Sequence, residues 1–354
     1  MASAILGTIP SSGKAFRLAA LGLVIALSLW ASFTPWQAPP PDSPVHGQQP
    51  KDRGDIALYR QVARQVAAGE SYYSAAAELH RQRGYPLKPF YTMRLPTLAW
   101  LAAGAGERAL VVAAWVLLLG ALAAWHRRLR DHSAGERIAA LVLLSLAGAP
   151  IISREAVMMH EFWCGMLLTV ALAFDPRREW PAQLAFAILA FAVREFAAAF
   201  LALMLATAAV DRAKTRFIAT AAATVACTAF LLLHREMVMS VVRPEDLSSE
   251  SWLGLRGPAG VVDDLRKLSL LGSLPAPLAA FAAFTPLLGW CALRRGAGFT
   301  LLWFIGFGFV VAAFARPGNF YWALVLLPAY PMGFAFLPSF IRGRPAEPSM
   351  PNAG

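Results

Sequence analysis

Apolar runs of about 15 to 22 residues recur along the whole chain, and short charged clusters break them apart. Runs of that length predict membrane-crossing helices, so the fold class expected is all-α and polytopic. The basic clusters fix a path, because such clusters are held on the cytoplasmic side. They lie at 126–130 with Arg137, at 177–178, at 212–216, at 294–295, and at Arg342 with Arg344. One threading places all of them inside. Its spans are 15–35, 107–125, 138–153, 156–174, two short spans within 181–210, then 217–234, 269–292, 299–315 and 320–341, about ten in all. The stretch 181–210 is split because it is too long for one span, and Arg194 and Glu195 interrupt it. The run 90–103 is apolar but short and carries Arg94 and Pro96, so it reads as a helix lying on the outer surface. The result is one transmembrane domain over 1–341, with outer loops at 36–105 and 235–268 and a short cytoplasmic tail at 342–354.

The segment GDIALYRQVARQVAAGESYY, 54–73, follows the first span and reads differently. Ile56, Tyr59, Val62, Ala63 and Val66 share one face of a helix, Arg60, Gln61, Arg64 and Gln65 the other, and Gly69 ends it. This predicts an amphipathic helix beside the membrane. Asp55 at its start has two compatible readings. It is a favoured N-cap residue, and it is a carboxylate placed to act as a general base at the membrane surface.

Composition narrows the class. Of 354 residues, 58% are hydrophobic, which is unusual for a soluble domain. The net charge of +11 sits in short clusters between apolar runs, which fits topology control and argues against nucleic acid as a partner. Cys164, Cys227 and Cys291 fall inside apolar runs without CxxC or CxxH spacing, so neither disulfides nor a metal site is expected. The first run, after Lys14 and Arg17, lacks a small-x-small cleavage site and reads as an uncleaved anchor rather than a signal peptide.

The threading brings Asp55, Arg94, Arg154, Glu155, His160, Glu161, Arg194, Glu195 and Arg316 to the outer membrane level. Charges near hydrocarbon cost ~2.5–3.5 kcal/mol each, so several at one depth suggest a shared polar site. Each has a bland reading as well. Arg94 in TMRLP is a snorkelling interfacial arginine or a fork for a lipid-linked phosphate. SREAVMMHEFW, 153–163, is a hairpin tip with a buried His160–Glu161 pair or part of a site lining; it is not HExxH. VREF, 193–196, is an ion pair or a site element. In ARPGNFYW, 315–322, turn and belt chemistry explains Pro317, Gly318 and Trp322 but leaves Arg316 and Asn319 for phosphate or sugar. The loop 235–268, with Trp252, Arg256, Asp263 and Asp264, is a candidate lid.

The order of these pieces resembles the GT-C superfamily of integral-membrane glycosyltransferases. An anchor span is followed by GDIALYRQVARQVAAGESYY, by RLPTLAWLAA and by a span ending in a basic loop; REAVMMHEFWCGMLL, VREFAAAFL and NFYWALVLLPAY resemble recurrent patterns of that superfamily. The resemblance implies a polyprenyl-phosphate-linked sugar as donor and an essential acidic residue in the first outer loop. That role falls on Asp55, with Asp52 as second candidate. Many members carry a paired-acid or DxD-like motif in this loop and no clean one is found here, which leaves metal dependence and the exact base open; no cofactor is expected, and a divalent metal is possible but not indicated. Arg94, Arg154, Arg194 and Arg316 would hold the phosphate, with Glu155, His160, Glu161 and Glu195 around them, and Tyr59, Asn319 and Tyr321 would orient the sugar. The acceptor, a lipid, glycan or protein, is unspecified. The Ala- and Arg-rich, Lys-poor composition suggests a bacterial inner (plasma) membrane, with both termini cytoplasmic and the active site periplasmic. The rival classes are a transporter or flippase of lipid-linked sugars and a noncatalytic subunit of an envelope-polysaccharide complex.

Overall fold

The computed structural model describes residues 13–34, 54–149 and 152–343. Asp52 and the tail after Gly343 lie outside them. The architecture is helical: α1 Lys14–Phe33, α2 Asp55–Ala67, α3 Tyr72–Arg83, α4 Thr97–Arg128, α5 Ala134–Gly148, α6 His160–Leu172, α7 Trp180–Val193, α8 Ala198–Val210, α9 Lys214–Met239, α10 Gly257–Leu268, α11 Ala276–Trp290, α12 Ala297–Phe314 and α13 Leu337–Arg342. No strand occurs among the described residues; a single bridge pairs Lys88 with Ser248.

Four helical segments are long and apolar enough to cross a membrane, or five if the bent segment after Pro317 counts as one. They are α1, the segment Phe90–Arg128, α9 and α12. On α1 and α9 most apolar side chains face outward, as a bilayer solvent requires: Phe33 is 81% exposed and Val225 69%; α12 instead buries more than half of its length in the bundle. This is consistent with a membrane protein. The apolar helices α6, α7, α8 and α11 are shorter, at 13 to 15 residues. That is about 20 Å of rise, less than the ~30 Å hydrocarbon core.

Breaks in the helices follow residues that cannot continue them. Gly106 has φ 81, ψ 160 inside α4, so the segment from Thr97 turns before the long run from Glu107. The break lies where the sequence separates a surface helix from the second span. At 193–195 the helix also stops: Arg194 is extended, and a 3-10 turn at Glu195–Ala197 leads into α8. The stretch 320–341 departs from the expected single span. It forms two 3-10 segments, Pro317–Val325 and Tyr330–Phe336, then α13, with a bend of 57°. Pro328, Pro331 and Pro338 explain this, since each removes a backbone donor and crowds the preceding turn.

This irregular segment is almost wholly buried against α5, α6, α10 and α11. Glycines permit its close approach. A Cβ on Gly165 would lie 2.2 Å from the Leu324 carbonyl oxygen, and one on Gly289 would meet the Gly333 carbonyl. Small residues at helix contacts are the usual way membrane helices gain packing. Gly165→Ala is therefore expected to cost about 1–3 kcal/mol by overpacking. Thermal unfolding in detergent checks this: the midpoint falls for Gly165→Ala and holds for Gly104→Ala, where a Cβ meets nothing within 4 Å.

The basic loops meet one another at one end of the bundle. Arg128 pairs with Asp175 at 3.1 Å and donates to the Arg295 carbonyl at 2.6 Å; Arg177 and Arg216 both pair with Asp211. The remaining charged candidates gather elsewhere, around α2.

Candidate functional site

Helix α2 begins one residue earlier than a capping role for Asp55 requires. Gly54 occupies the N-cap position, and Asp55 is the first helical residue. Its carboxylate faces a cleft instead. Tyr85 is hydrogen-bonded to it, and its Oδ1 is buried without a protein partner. Burial, followed by the Asp55 charge, raises the Tyr85 pKa, so the phenol keeps its proton and donates a hydrogen bond to the carboxylate.

The cleft is narrow, with a cavity volume of about 50 Å³, and is lined by Asp55, Tyr59, His80, Arg94, Arg316 and Tyr321 among others. Arg94 is 7% exposed and is held at several points. Its Nε donates to the Tyr59 hydroxyl at 3.1 Å and its Nη2 to the Tyr321 hydroxyl at 3.4 Å. The backbone beneath it is tied down by the paired tyrosines of α3. The Tyr72 hydroxyl donates to the Arg94 carbonyl at 2.5 Å; Tyr73 bonds His234, whose other nitrogen meets the Met93 carbonyl at 3.1 Å. Those tyrosines thus belong to the support of the arginine rather than to the cleft wall.

Behind Arg94 runs a buried alternation of charge. Glu161 lies 3.8 Å from Arg94 Nη2 and 3.0 Å from Arg194 Nε, and Arg194 Nη1 reaches Glu195 at 2.5 Å. The Glu161–Arg194 contact is an ion pair without hydrogen-bond alignment. Arg194 also stacks 3.9 Å above the Phe196 ring. The extended backbone at Arg194, at the break between α7 and α8, brings its side chain into this row. His160 points away from Glu161, as neighbours on a helix must, and packs edge-on against Tyr59 at 5.1 Å.

Across the cleft, Arg316 donates from Nε to Asn319 Oδ1 at 3.3 Å, and Asn319 Nδ2 donates to Tyr321 at 3.2 Å. The guanidinium lies 4.6 Å over the Trp252 ring, which stacks on Trp322. The loop 248–255 thus covers part of the cleft. It is fixed there by Gly254, where a Cβ would lie 2.2 Å from the Ala315 carbonyl oxygen.

An apolar groove opens next to this wall. It has a cavity volume of about 520 Å³ and runs between Leu27 and Trp30 of α1, Val261 of α10, and Gly308 and Ala312 of α12. Its lining includes Leu255 and Ala313, joined by a 2.9 Å backbone bond and close to Arg316 in the chain.

The structure therefore brings together Asp55, Tyr59, Arg94, Arg316, Asn319 and Tyr321 on one cleft, with His160, Glu161, Arg194 and Glu195 in the layer behind. Arg154 and Glu155 do not line it. They sit at the turn before α6, where Arg60 of α2 donates to the Arg154 carbonyl and stands 3.8 Å from Glu155. A shared depth does not fix which side of a helix bundle a residue faces.

Two ionisable cleft residues, His80 and Tyr85, were not singled out by the sequence, nor were Leu58, Pro86, Thr92 and Ser249 beside them. His80 Nδ1 bonds the Ala76 carbonyl at 2.6 Å, and burial lowers its pKa to about 4, so the ring is neutral at ordinary pH. No group of three His, Cys, Asp or Glu side chains that could hold a metal occurs among the described residues. Chemically, the cleft offers one carboxylate, two guanidinium groups on different walls and several hydroxyl and amide donors. Comparison with known proteins gave no match: no protein-family model, no curated protein and no solved structure is significantly similar to this chain.

Proposed function

We propose that this chain is a membrane glycosyltransferase that moves a sugar from a polyprenyl-phosphate donor to an acceptor on the outer, periplasmic face of the inner membrane. The observation that carries the reading is one cleft that holds Asp55, Arg94 and Arg316 together, with a separate apolar groove whose lining includes Ala313, three residues before Arg316 in the chain. The threading that belongs to it crosses the membrane about ten times, with the shorter helices paired and both termini cytoplasmic. The gathering of the basic loops at one end supports that orientation.

In this reading the isoprenoid tail lies in the groove and its phosphate reaches Arg316 and Arg94. The acceptor hydroxyl attacks the anomeric carbon. Its proton passes to Asp55 as the new carbon–oxygen bond forms and the bond from that carbon to the phosphate oxygen breaks. The electron pair leaves with the polyprenyl phosphate, whose charge the two arginines stabilise. Direct displacement inverts the anomeric configuration. A carrier or flippase is less well supported, because the bundle interior is filled by fully buried Trp125, Trp290, Trp303 and Phe336.

The test is turnover by the purified protein in nanodiscs, given radiolabelled polyprenyl-phosphate sugars in turn and a total membrane extract as acceptor source. One donor is expected to be consumed, with free polyprenyl phosphate released in equal amount and the product of inverted configuration. Donor that moves between compartments without losing its sugar would overturn the transferase reading in favour of transport.

A further inference from the structure

A second apolar groove lies on the other side of α10. It has a cavity volume of about 610 Å³ and is walled by α5, α10, α11 and the irregular segment around Pro331. Leu265 and Tyr330 line both grooves, and Tyr330 is fixed between them by a 2.7 Å hydrogen bond to the Ala283 carbonyl. The two are therefore separate channels with a shared wall. Each has a bare leucine at one end of α10: Leu255 is 74% exposed beside the first and Leu270 81% exposed beside the second. Side chains so exposed are stable against a bilayer or a bound chain and unfavourable against water.

The second groove differs from the first in charge. Among its lining residues is Lys267, at the last turn of α10, with Arg266 before it. Lys267 pairs with Asp263 at 2.7 Å and stands 5.7 Å over the Phe320 ring, which packs against Tyr321 of the cleft. An apolar trough with a cation at its rim complements a lipid with an anionic headgroup. Two ring contacts connect that rim to the cleft wall.

We propose that this groove seats the acceptor, and that the acceptor is a membrane lipid with an anionic headgroup. The donor's tail then takes the first groove and the acceptor's chains the second, so both substrates reach the cleft from the bilayer. This rests on the transferase reading for the word acceptor, but not for the binding.

The test uses photoreactive diazirine phosphatidylglycerol, with the phosphatidylcholine analogue as control, in nanodiscs holding the full chain. Phosphatidylglycerol is expected to label peptides 265–271 and 327–334 in preference to phosphatidylcholine. Lys267→Gln reduces that preference by about fivefold, the effect of one cation near a lipid surface. Ala282→Trp, which fills the groove, removes labelling at 327–334 and leaves labelling of the exposed face of α9 unchanged. Equal labelling of groove and α9 by both lipids, or no effect of Lys267→Gln, overturns the lipid site. Labelling needs no turnover, so this result is independent of the donor assay. Where donor is consumed, Ala282→Trp raises the KM for phosphatidylglycerol or its cognate lipid fraction and spares that for donor, while Gly308→Trp does the reverse. An Ala282→Trp enzyme with unchanged acceptor KM overturns the acceptor assignment.

Discussion

Asp55→Asn is expected to lower kcat by about 10²–10⁴, the range for loss of a positioned general base, while the protein accumulates normally and its KM for donor changes little. The substitution keeps the shape of the side chain. Tyr85 can still hydrogen-bond to the amide, so the first turn of α2 is not disturbed by loss of volume. What changes is the ability to take a proton. The carboxylate also interacts with the positive end of α2, a contribution of about 0.3–1 kcal/mol at exposed sites, and that small loss sets the expected effect on stability. Because Gly54 and not Asp55 stands at the N-cap, a purely helix-terminal role predicts only a small loss of stability and no loss of turnover. The measurement is single-turnover consumption of labelled donor, read beside the thermal midpoint of the same preparation. A variant that turns over like wild type would leave Asp55 with its dipole role alone. A variant that fails to fold would show a structural role instead.

The readable part of this molecule was the part in which charge interrupts an apolar run. Arg194 and Glu195 stand in a stretch of about 30 apolar residues, and insertion costs make such a pair informative without any structure. The α2 pattern was legible for the same reason: its apolar positions repeat at helical spacing, and Gly69, at φ 96, ends it as expected. His80 and Tyr85 were not legible. They reach Asp55 because α3 folds back along α2 and turns at Gly84 in the left-handed conformation, and no periodicity in ELHRQRGYP announces that contact. Arg154 and Glu155 failed in the opposite way. Their depth was inferable, but their direction depends on Arg60 drawing the turn toward the far side of α2. The 3-10 path from Pro317 to Phe336 was signalled by three prolines within eleven residues, a signal outweighed by the apolar run around them.

Glu161 is where the largest loss of stability is expected. The carboxylate is 1% exposed and lies between Arg94 and Arg194, themselves 7% and 1% exposed. With Glu195 the four groups sum to zero charge. Glu161→Gln leaves two buried cations with one counter-ion, and removing one partner of a buried pair typically costs about 3–5 kcal/mol. The folded yield in detergent should collapse, and whatever folds should melt early. The companion variant Glu161→Leu with Arg194→Met removes one charge of each sign and restores most of the stability, because well-packed apolar groups replace a buried pair at little net cost. That pair of variants also separates support from chemistry. In the double variant Arg94 keeps its bonds to Tyr59 and Tyr321 but loses the anion behind it, so the guanidinium is held less firmly toward the cleft. Donor KM should then rise by roughly tenfold, the loss expected for weakening one charge-assisted hydrogen bond. Wild-type stability in Glu161→Gln would mean that water screens the cluster. Wild-type KM in the double variant would mean that the row behind Arg94 serves the fold and not the site.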